Sequence, residues 1–260
     1  MIAQILSWFE LVALQEVADD LSGLDGVRGH LPPHFDAVFS DKGGNDERSA
    51  YVYDTRRVSR GPKIGEIALT ESERRHIELP GVNGAFAGFN RNPYIATFVI
   101  EGATLLLANA HLFYGSSDSP ADKQTSMQQR QLEAYAIGRW CDLRRKSRNC
   151  YTPNILAVGD FNLPKRVPGD PIYEALTRRG LRLSDHTTRV PGTNLAGTHH
   201  YDQIAFVPGL RRRIAAMGVF DFDGAAFANL WDPQRSSRWR TCLKYYLSDH
   251  RPLWMQLALS

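Results

Sequence analysis

The sequence predicts one domain of the mixed α/β class, and three observations lead to that prediction. Short apolar runs alternate with polar loops along most of the 260 residues, which is typical of buried strands. The segment 124–145 instead carries apolar residues at helical spacing, which predicts a long helix. No internal repeat, low-complexity tract or linker divides the chain, and its length fits a single domain. Strands joined by hairpins and helical crossovers are the arrangement these elements favour.

The strands are predicted from runs that are apolar or that alternate between apolar and polar residues. Glu101 and Gly102 separate two of these runs and predict a tight hairpin. Residues 170–179 are predicted as a short helix that Gly180 ends, and residues 1–9 as the end of a helix. The predicted strands are 11–14, 49–53, 64–69, 94–100, 104–108, 155–158, 201–207 and 252–259.

Composition and charge restrict the function less than the motifs do. The net charge is only +3, so the chain tolerates an anionic partner without requiring one. Three cysteines do not form a disulfide framework or a zinc site, although a bridge between Cys141 and Cys150 is open. No signal peptide and no apolar run of membrane-spanning length is visible, which predicts a cytoplasmic monomer without a membrane partner. Basic residues cluster at 144–148, at 211–213 and, interleaved with Trp239, at 235–244; such clusters either follow a phosphate backbone or form a solvated surface.

Polar residues recur where the predicted strands begin or end. Each taken alone is typical of a turn or a cap. Acids, amides and imidazoles that converge from several strand ends would form a pocket for a hard divalent cation. The residues in such positions are Glu16, His111, Asp160, Asn162, Asp202, Asp249 and His250.

The same residues lie in motifs that resemble, in order, those of the endonuclease/exonuclease/phosphatase superfamily, which has the deoxyribonuclease I-like fold. The resemblance runs from Leu11 to the C-terminus. It implies a four-layer α/β/β/α sandwich of two packed, mixed, mostly antiparallel sheets with outer helices. The motifs are LVALQEV at 11–17, Glu47-Arg48, NAHL at 109–112, GDFN at 159–162, YDQI at 201–204 and SDHRP at 248–252.

The resemblance also implies a role for each residue. Glu16 and Asp249 would hold Mg²⁺, with Mn²⁺ fitting the same oxygens and a supporting Ca²⁺ open. Asp160 would deprotonate the attacking water, and the Asn162 amide would hold the water or the phosphate. His250 would donate a proton or a hydrogen bond to a phosphate oxygen, with Asp202 as its carboxylate partner. His111, with Glu47 as its partner, would be a second protonatable histidine near the leaving oxygen. Arg91 would bind a backbone phosphate.

The N-terminus departs from the family pattern. That pattern begins with a strand carrying an asparagine, followed by a helix before the first Gln-Glu pair. Here only ten residues precede Leu11, and none is asparagine. The resemblance therefore implies either a start further upstream or a domain, residues 1–260, that lacks the first strand. A missing strand would leave a neighbouring strand edge unpaired and apolar side chains uncovered.

Three functions are compatible with these residues. The first is a Mg²⁺-dependent hydrolase that cleaves phosphodiester bonds as a DNA endonuclease. The second applies the same chemistry to a small or lipid phosphoester, although no long apolar loop favours a lipid. The third is a non-catalytic module that binds an anion, which retention of the whole polar set disfavours.

Overall fold

The structure is a computed structural model that describes residues 1–115, 119–183, 185, 186, 188–222, 224 and 236–259. Within these residues the helices and strands follow one another as a mixed α/β domain. The strands are β1 (Leu11–Ala18), β2 (Phe35–Phe39), β3 (Glu47–Asp54), β4 (Val58–Glu66), β5 (Tyr94–Ile100), β6 (Ala103–His111), β7 (Ile155–Asp160), β8 (Arg182–Leu183), β9 (Asp202–Phe206), β10 (Ile214–Val219) and β11 (Leu253–Leu257). The α-helices are Ile2–Leu6, Ser22–Arg28, Glu71–Arg74, Pro120–Lys146, Pro171–Thr177 and Ser236–Tyr246, and Gly44–Asp46 and Pro208–Arg213 are 3₁₀ helices.

The strands form a six-stranded sheet in the order β4-β5-β6-β7-β9-β8, a three-stranded sheet β1-β3-β2 and a two-stranded sheet β10-β11. All pairs are antiparallel except β6 and β7, which are joined by a helical crossover and run parallel. The predicted sandwich of packed, mostly antiparallel sheets with outer helices is confirmed.

Aromatic residues join the two larger sheets face to face. Tyr51 of β3 packs edge-on against Phe98 of β5, with ring centroids 5.2 Å apart, and both are fully buried. The opposite face of the six-stranded sheet is covered by helix Pro120–Lys146, whose Leu132 and Ile137 belong to the same core. This helix contacts helix Pro171–Thr177 closely at Gly138, where an added Cβ would lie 2.5 Å from the Leu176 carbonyl oxygen. The six-stranded sheet is therefore packed on both faces.

Several predicted elements differ from those observed. The predicted strand 64–69 lies earlier, as β4. Strands β2 and β10 were not predicted: Asp36 interrupts the short run of β2, and β10 contains alanine and glycine, which are depleted in strands. The 101–102 hairpin is confirmed, with φ of 50° at Glu101 and 79° at Gly102. Residues 11–14 are half-buried rather than buried, because β1 lies at the edge of its sheet.

A groove explains that partial exposure. Strands β1 and β11 each lie at a sheet edge, and residues of both line a single groove of about 1360 Å³. Leu105, Leu156 and Ile204 of the six-stranded sheet also line it, as do Glu16 and Asp249. The expectation that the domain lacks the family's first strand stays a prediction.

Two further sequence-based expectations concern the cysteines and the membrane. Cys141, Cys150 and Cys242 are all free thiols, so the Cys141–Cys150 bridge is absent. Among the described residues, no helix combines the length and the apolar character that a membrane span needs.

Candidate active site

Three adjacent strands bring the central polar residues together. In the parallel pair β6–β7, His111 is opposite Asp160, and in the antiparallel pair β7–β9, Asp160 is opposite Asp202. Strands β6 and β7 end at this point and β9 begins there. Three residues that are far apart in the sequence therefore lie abreast at one edge of the sandwich.

The turn after β7 has a backbone that few other residues would allow. Gly159 has a φ of 123°, and a Cβ on it would lie 2.1 Å from the carbonyl oxygen of Ala110. Asn162 has a φ of 48°, a left-handed conformation that asparagine tolerates. Its backbone N–H donates to Asp160 Oδ1 at 2.7 Å, and its side-chain amide donates to the Leu112 carbonyl at 3.0 Å. The GDFN motif is thus a rigid turn that fixes Asp160 against the strand of His111.

His111 lies at the centre of a group of carboxylates. Its Nδ1 is 3.2 Å from Glu47 Oε2, and its Nε2 is 3.8 Å from both Glu16 Oε1 and Asp160 Oδ2. Arg91 lies on the far side of Glu47, with Nε 2.9 Å from Glu47 Oε2 and 3.1 Å from the Gly44 carbonyl oxygen. The structure therefore links five of the predicted site residues in a chain of direct contacts. Glu16, Glu47, Arg91 and His111 also line a common cavity of about 240 Å³.

His250 and Asp202 form the second pair. Their Nδ1 and Oδ2 atoms are 2.8 Å apart, as expected for a carboxylate that fixes the orientation of an imidazole. Tyr201 stacks on the His250 ring with centroids 5.6 Å apart and on the His199 ring with centroids 5.0 Å apart. The imidazole of His250 is held by a hydrogen bond at one nitrogen and by ring stacking.

Glu16 owes its position to a bulge in β1. The register of β1 with β3 shifts between Leu14 and Val17, and Glu16 has a φ of 57°. Buried Asn109 holds this bulge: its amide donates to the Leu14 carbonyl at 2.9 Å and to the Ala50 carbonyl at 3.2 Å, and its oxygen accepts from the Gln15 side chain at 2.5 Å. The carboxylate of Glu16 emerges into the cleft, with its side chain 65% exposed.

The charges of the site shift three pKa values in different directions. Burial, followed by the Asp202 carboxylate, raises the pKa of Asp160 to about 7. Burial opposes protonation of His250, but the hydrogen bond and charge of Asp202 outweigh it and raise the pKa of His250 to about 9. Burial, followed by Arg91 and His250, lowers the pKa of His111 to about 3. The lowered pKa favours the neutral imidazole of His111 near pH 7, and the role of His111 as a second protonatable histidine stays a prediction.

The carboxylates fit a hard cation held mainly by solvent and substrate. Among the described residues, no group of three or more His, Cys, Asp or Glu side chains is arranged as a ready-made metal site. Mg²⁺ in proteins needs fewer ligands, because it commonly keeps several waters and is held by one or two carboxylates. Partial burial raises the pKa of Glu16, and the negative charges of Glu47 and Asp249 raise it further. A bound cation would relieve the repulsion among these carboxylates. Lys244 Nζ now lies 3.0 Å from Asp249 Oδ2 and supplies a positive charge there.

Sequence reasoning missed some residues that shape the site. Asn109 was noticed only as part of a motif, and its position inside the apolar run of β6 is the signal that could have revealed it. Arg130 lies on helix Pro120–Lys146, is 7% exposed and donates to the Asn162 carbonyl oxygen at 3.2 Å. Its guanidinium also lies 5.1 Å from the ring centroid of exposed Tyr114. A buried arginine on a helix face was not distinguishable from a surface residue in the sequence alone.

Some residues of the basic clusters contact groups within the protein. Arg145 and Lys146 are paired with buried Asp142 at 2.8 Å, and Arg213 donates to the Leu259 carbonyl. Residue 235 and the side chains of Arg238 and Trp239 lie outside the described residues.

Comparisons with known proteins identify the fold. No protein-family model matches the chain, and no curated protein matches it. Among solved structures, it is similar to a mannosyl-6-phosphatase from Bacteroides thetaiotaomicron, with a TM-score of 0.63 and 19% identity over 99% of this chain and 89% of that one. An endonuclease/exonuclease/phosphatase from Bacteroides vulgatus aligns with a TM-score of 0.60 and 15% identity, covering 100% of this chain and 89% of that one.

An AP endonuclease from Archaeoglobus fulgidus aligns with a TM-score of 0.55 and 14% identity, covering 100% of this chain and 93% of its own. The chain therefore has the endonuclease/exonuclease/phosphatase fold, as the motif resemblance predicted. These three structural neighbours are a phosphatase, an endonuclease/exonuclease/phosphatase and an AP endonuclease.

Proposed function

We propose that this protein is a metal-dependent phosphodiesterase that cleaves DNA. The observation that carries the proposal is the alignment of His111, Asp160 and Asp202 across three adjacent strands, with Glu16 in contact range of the same histidine. A phosphodiester resists hydrolysis because its negative charge repels a nucleophile. A site for it needs a base, positive charge and a proton donor; Asp160 can act as the base, and His250, paired with Asp202, supplies the positive charge and the proton.

The residues divide the proton chemistry according to their environments. Asp160, with a pKa raised to about 7, is suited to accept a proton from the attacking water. His250, with a pKa raised to about 9, is protonated near neutral pH and can stabilise a phosphoryl oxygen or protonate the leaving oxygen. Asp202 keeps that proton on the ring by accepting from Nδ1. Neutral His111 has one ring nitrogen that donates and one that accepts, so it can position its neighbours without adding charge.

Other residues orient the substrate. The Asn162 amide is fixed by Leu112 and offers a polar group without adding negative charge. Arg91 faces the cavity that contains His111, where a phosphate oxygen could replace part of its contact with Glu47. Glu16 and Asp249 would hold Mg²⁺, or Mn²⁺. When bound, the cation neutralises part of the phosphate charge.

Two observations support DNA as the substrate. Tyr114 is 59% exposed beside the turn of Asn162, and an exposed aromatic ring next to a phosphate site can stack on a base. The AP endonuclease among the structural neighbours shows that this fold serves DNA chemistry in another protein.

A second candidate is hydrolysis of a small phosphoester. The mannosyl-6-phosphatase neighbour and the modest volume of the cavity at Arg91 favour it. The chemistry of the site would be unchanged, and only the contacts outside the phosphate would differ.

Side-by-side cleavage assays test the proposal. Supercoiled plasmid DNA, a single-stranded RNA, bis(p-nitrophenyl) phosphate and a sugar phosphate are each incubated with the protein and Mg²⁺, and then with a chelator. We expect plasmid nicking that the chelator abolishes, with Asp160→Ala as the inactive control. Turnover of the sugar phosphate alone would favour the second candidate. Absence of turnover on all four substrates would refute both and favour a module that binds anions without cleaving them.

A further inference from the structure

The buried carboxylate of Glu133 has no part in the proposed chemistry, although it contacts two segments that carry site residues. Glu133 lies midway along helix Pro120–Lys146 and is 1% exposed. Its Oε1 accepts from the backbone N–H of Asn90 at 2.9 Å, and its Oε2 accepts from the backbone N–H of Phe113 at 2.8 Å. Gln129 adds a longer contact to Oε1 at 3.4 Å. One side chain thus joins the loop of Asn90 to the strand end before Phe113.

Each of the two segments leads directly to the site. Asn90 precedes Arg91, and Phe113 follows His111 by two residues. Arg91 and His111 contact the same carboxylate oxygen of Glu47, at 2.9 and 3.2 Å. Glu133 therefore closes a ring that runs from Asn90 through Arg91, Glu47 and His111 to Phe113.

The loop of Asn90 is also packed closely on the turn that precedes Glu47. A Cβ on Gly44 would lie 2.5 Å from the Asn90 side-chain oxygen and 2.9 Å from its carbonyl oxygen. A shift of Asn90 would therefore displace both Arg91 and the turn that leads to Glu47. Arg91 and Glu47 contact each other, so a small movement of the Asn90 loop would change the positions of both residues together.

A carboxylate is the side chain that suits this position. Two buried N–H donors from different segments need two acceptors, and each donor would be costly to leave unpaired. A glutamine offers one acceptor oxygen, and its NH₂ group would face the second N–H. Burial raises the pKa of Glu133, while the two backbone donors and Arg91 oppose that rise.

We propose that Glu133 is a positioning residue that sets the placement of Arg91 and His111 relative to each other through Asn90 and Phe113. This inference rests on the proposed function for its kinetic consequence but not for its structural one. Glu133 would affect substrate binding through Arg91 and turnover through His111.

The test compares Glu133→Gln with a matched control on the same helix. Asp142 is also a buried carboxylate, 3% exposed, and lies nine residues further along the helix, about 13 Å away. It binds Arg145, Lys146 and Arg179, and none of these contacts the site. Asp142→Asn therefore removes buried charge pairing without disturbing Arg91 or His111.

Amide hydrogen exchange and kinetics are measured at a temperature where all variants are folded. Glu133→Gln should increase the exchange rate of the Asn90 or Phe113 amide at least tenfold, and Asp142→Asn should change neither. On bis(p-nitrophenyl) phosphate with Mg²⁺, Glu133→Gln should lower kcat/KM by about 10- to 100-fold, as a misplaced group of about 1 Å does. In the Arg91→Ala background, the KM part of that loss should disappear.

Different results would overturn the proposal. Unchanged protection of both amides in Glu133→Gln, or a kinetic loss no larger than that of Asp142→Asn, would show that Glu133 is only a buried structural group. A full, additive KM loss in the double variant would show that it does not act through Arg91. If the parent protein cleaves no phosphoester, the proposed function fails, but the exchange of the two amides and the affinity of the parent and Glu133→Gln for inorganic phosphate still decide the positioning role.

Discussion

The two halves of the candidate site rest on parts of the molecule that differ in packing. His111, Asp160 and Asn162 lie on β6, β7 and the following turn, inside a sheet covered on both faces, and each is at most 8% exposed. Glu16 and Asp249 lie beside the groove, at β1 and ahead of β11, with side chains 65% and 45% exposed. The half that carries the proposed base is thus the rigid half, enclosed by packing before substrate arrives, whereas the proposed proton donor His250 adjoins Asp249 and its side chain is 27% exposed. The half assigned to the cation depends on two sheet edges with fewer constraints.

This difference suggests that substitutions in the rigid half act on turnover, whereas those in the exposed half act on cation affinity. The first prediction concerns the rigid half and has the largest expected effect. Asp160→Ala removes the proposed base and should lower kcat by about 10³- to 10⁴-fold, within the range for acid–base catalysis. The melting temperature should change little, because Asp160 Oδ1 accepts a single turn hydrogen bond. Plasmid nicking and thermal unfolding check both parts, and activity close to that of the parent would contradict the assigned role.

Substitutions beside the groove should instead change the metal requirement. Glu16→Gln removes one proposed cation ligand and should raise the Mg²⁺ concentration for half-maximal activity by about 10- to 100-fold, with smaller change at saturating Mg²⁺. Lys244→Met removes the ammonium 3.0 Å from Asp249 and should lower that concentration. A Mg²⁺ titration of both variants checks the pair. The same direction of change in both would mean that Lys244 does not compete with the cation.

Stability should show the same contrast between the halves. Ile155→Ala in the six-stranded sheet deletes a side chain that is 0% exposed and does not line the groove, and it should cost about 2–5 kcal/mol of unfolding free energy. Met255→Ala on half-buried β11 should cost less than about 2 kcal/mol, because the groove already exposes part of that side chain. Denaturant unfolding of both variants provides the comparison. Equal costs would show that the groove side is packed as tightly as the core.

The smallest expected effect concerns the groove itself. A strand of alternating valine and threonine, tethered by a flexible linker ahead of Met1, could pair with the edges of β1 and β11. Each backbone hydrogen bond gained contributes about 0.5–1.5 kcal/mol, so the melting temperature should rise by several degrees. The control carries proline at alternate positions of the same strand, which removes the donors. Equal melting temperatures for the two fusions and the parent would indicate that the groove does not accept a strand.

The sequence predicted those parts of the molecule that are marked by strong local patterns. Apolar runs ending in polar residues located β5, β6, β7 and β9 and the site residues at their ends. Strands β2 and β10 escaped notice because β2 is short and interrupted by Asp36, and β10 contains alanine and glycine, which are depleted in strands. The neutral state of His111 depends on burial and on Arg91, which is distant in sequence, so no local pattern encodes it.

Residues that act across the fold were beyond the reach of the sequence for the same reason. Glu133 reads as an ordinary charged residue of a long helix, and only the fold brings Asn90 and Phe113 to it. Asn109 locks the bulge of β1 from a strand 94 residues away. The ordered motifs nonetheless contain the three residues that meet at the strand ends, His111, Asp160 and Asp202.

The most direct test of the account is to locate the cation. Anomalous diffraction from crystals containing Mn²⁺ and inorganic phosphate would place the metal relative to both halves of the site. We expect one strong peak within about 2.0–2.3 Å of a carboxylate oxygen of Glu16, with phosphate between it and the Asp160–His250 side. A peak remote from Glu16 and Asp249, or phosphate bound away from Asp160 and His250, would contradict the claim that the two halves form one phosphoester-cleaving centre.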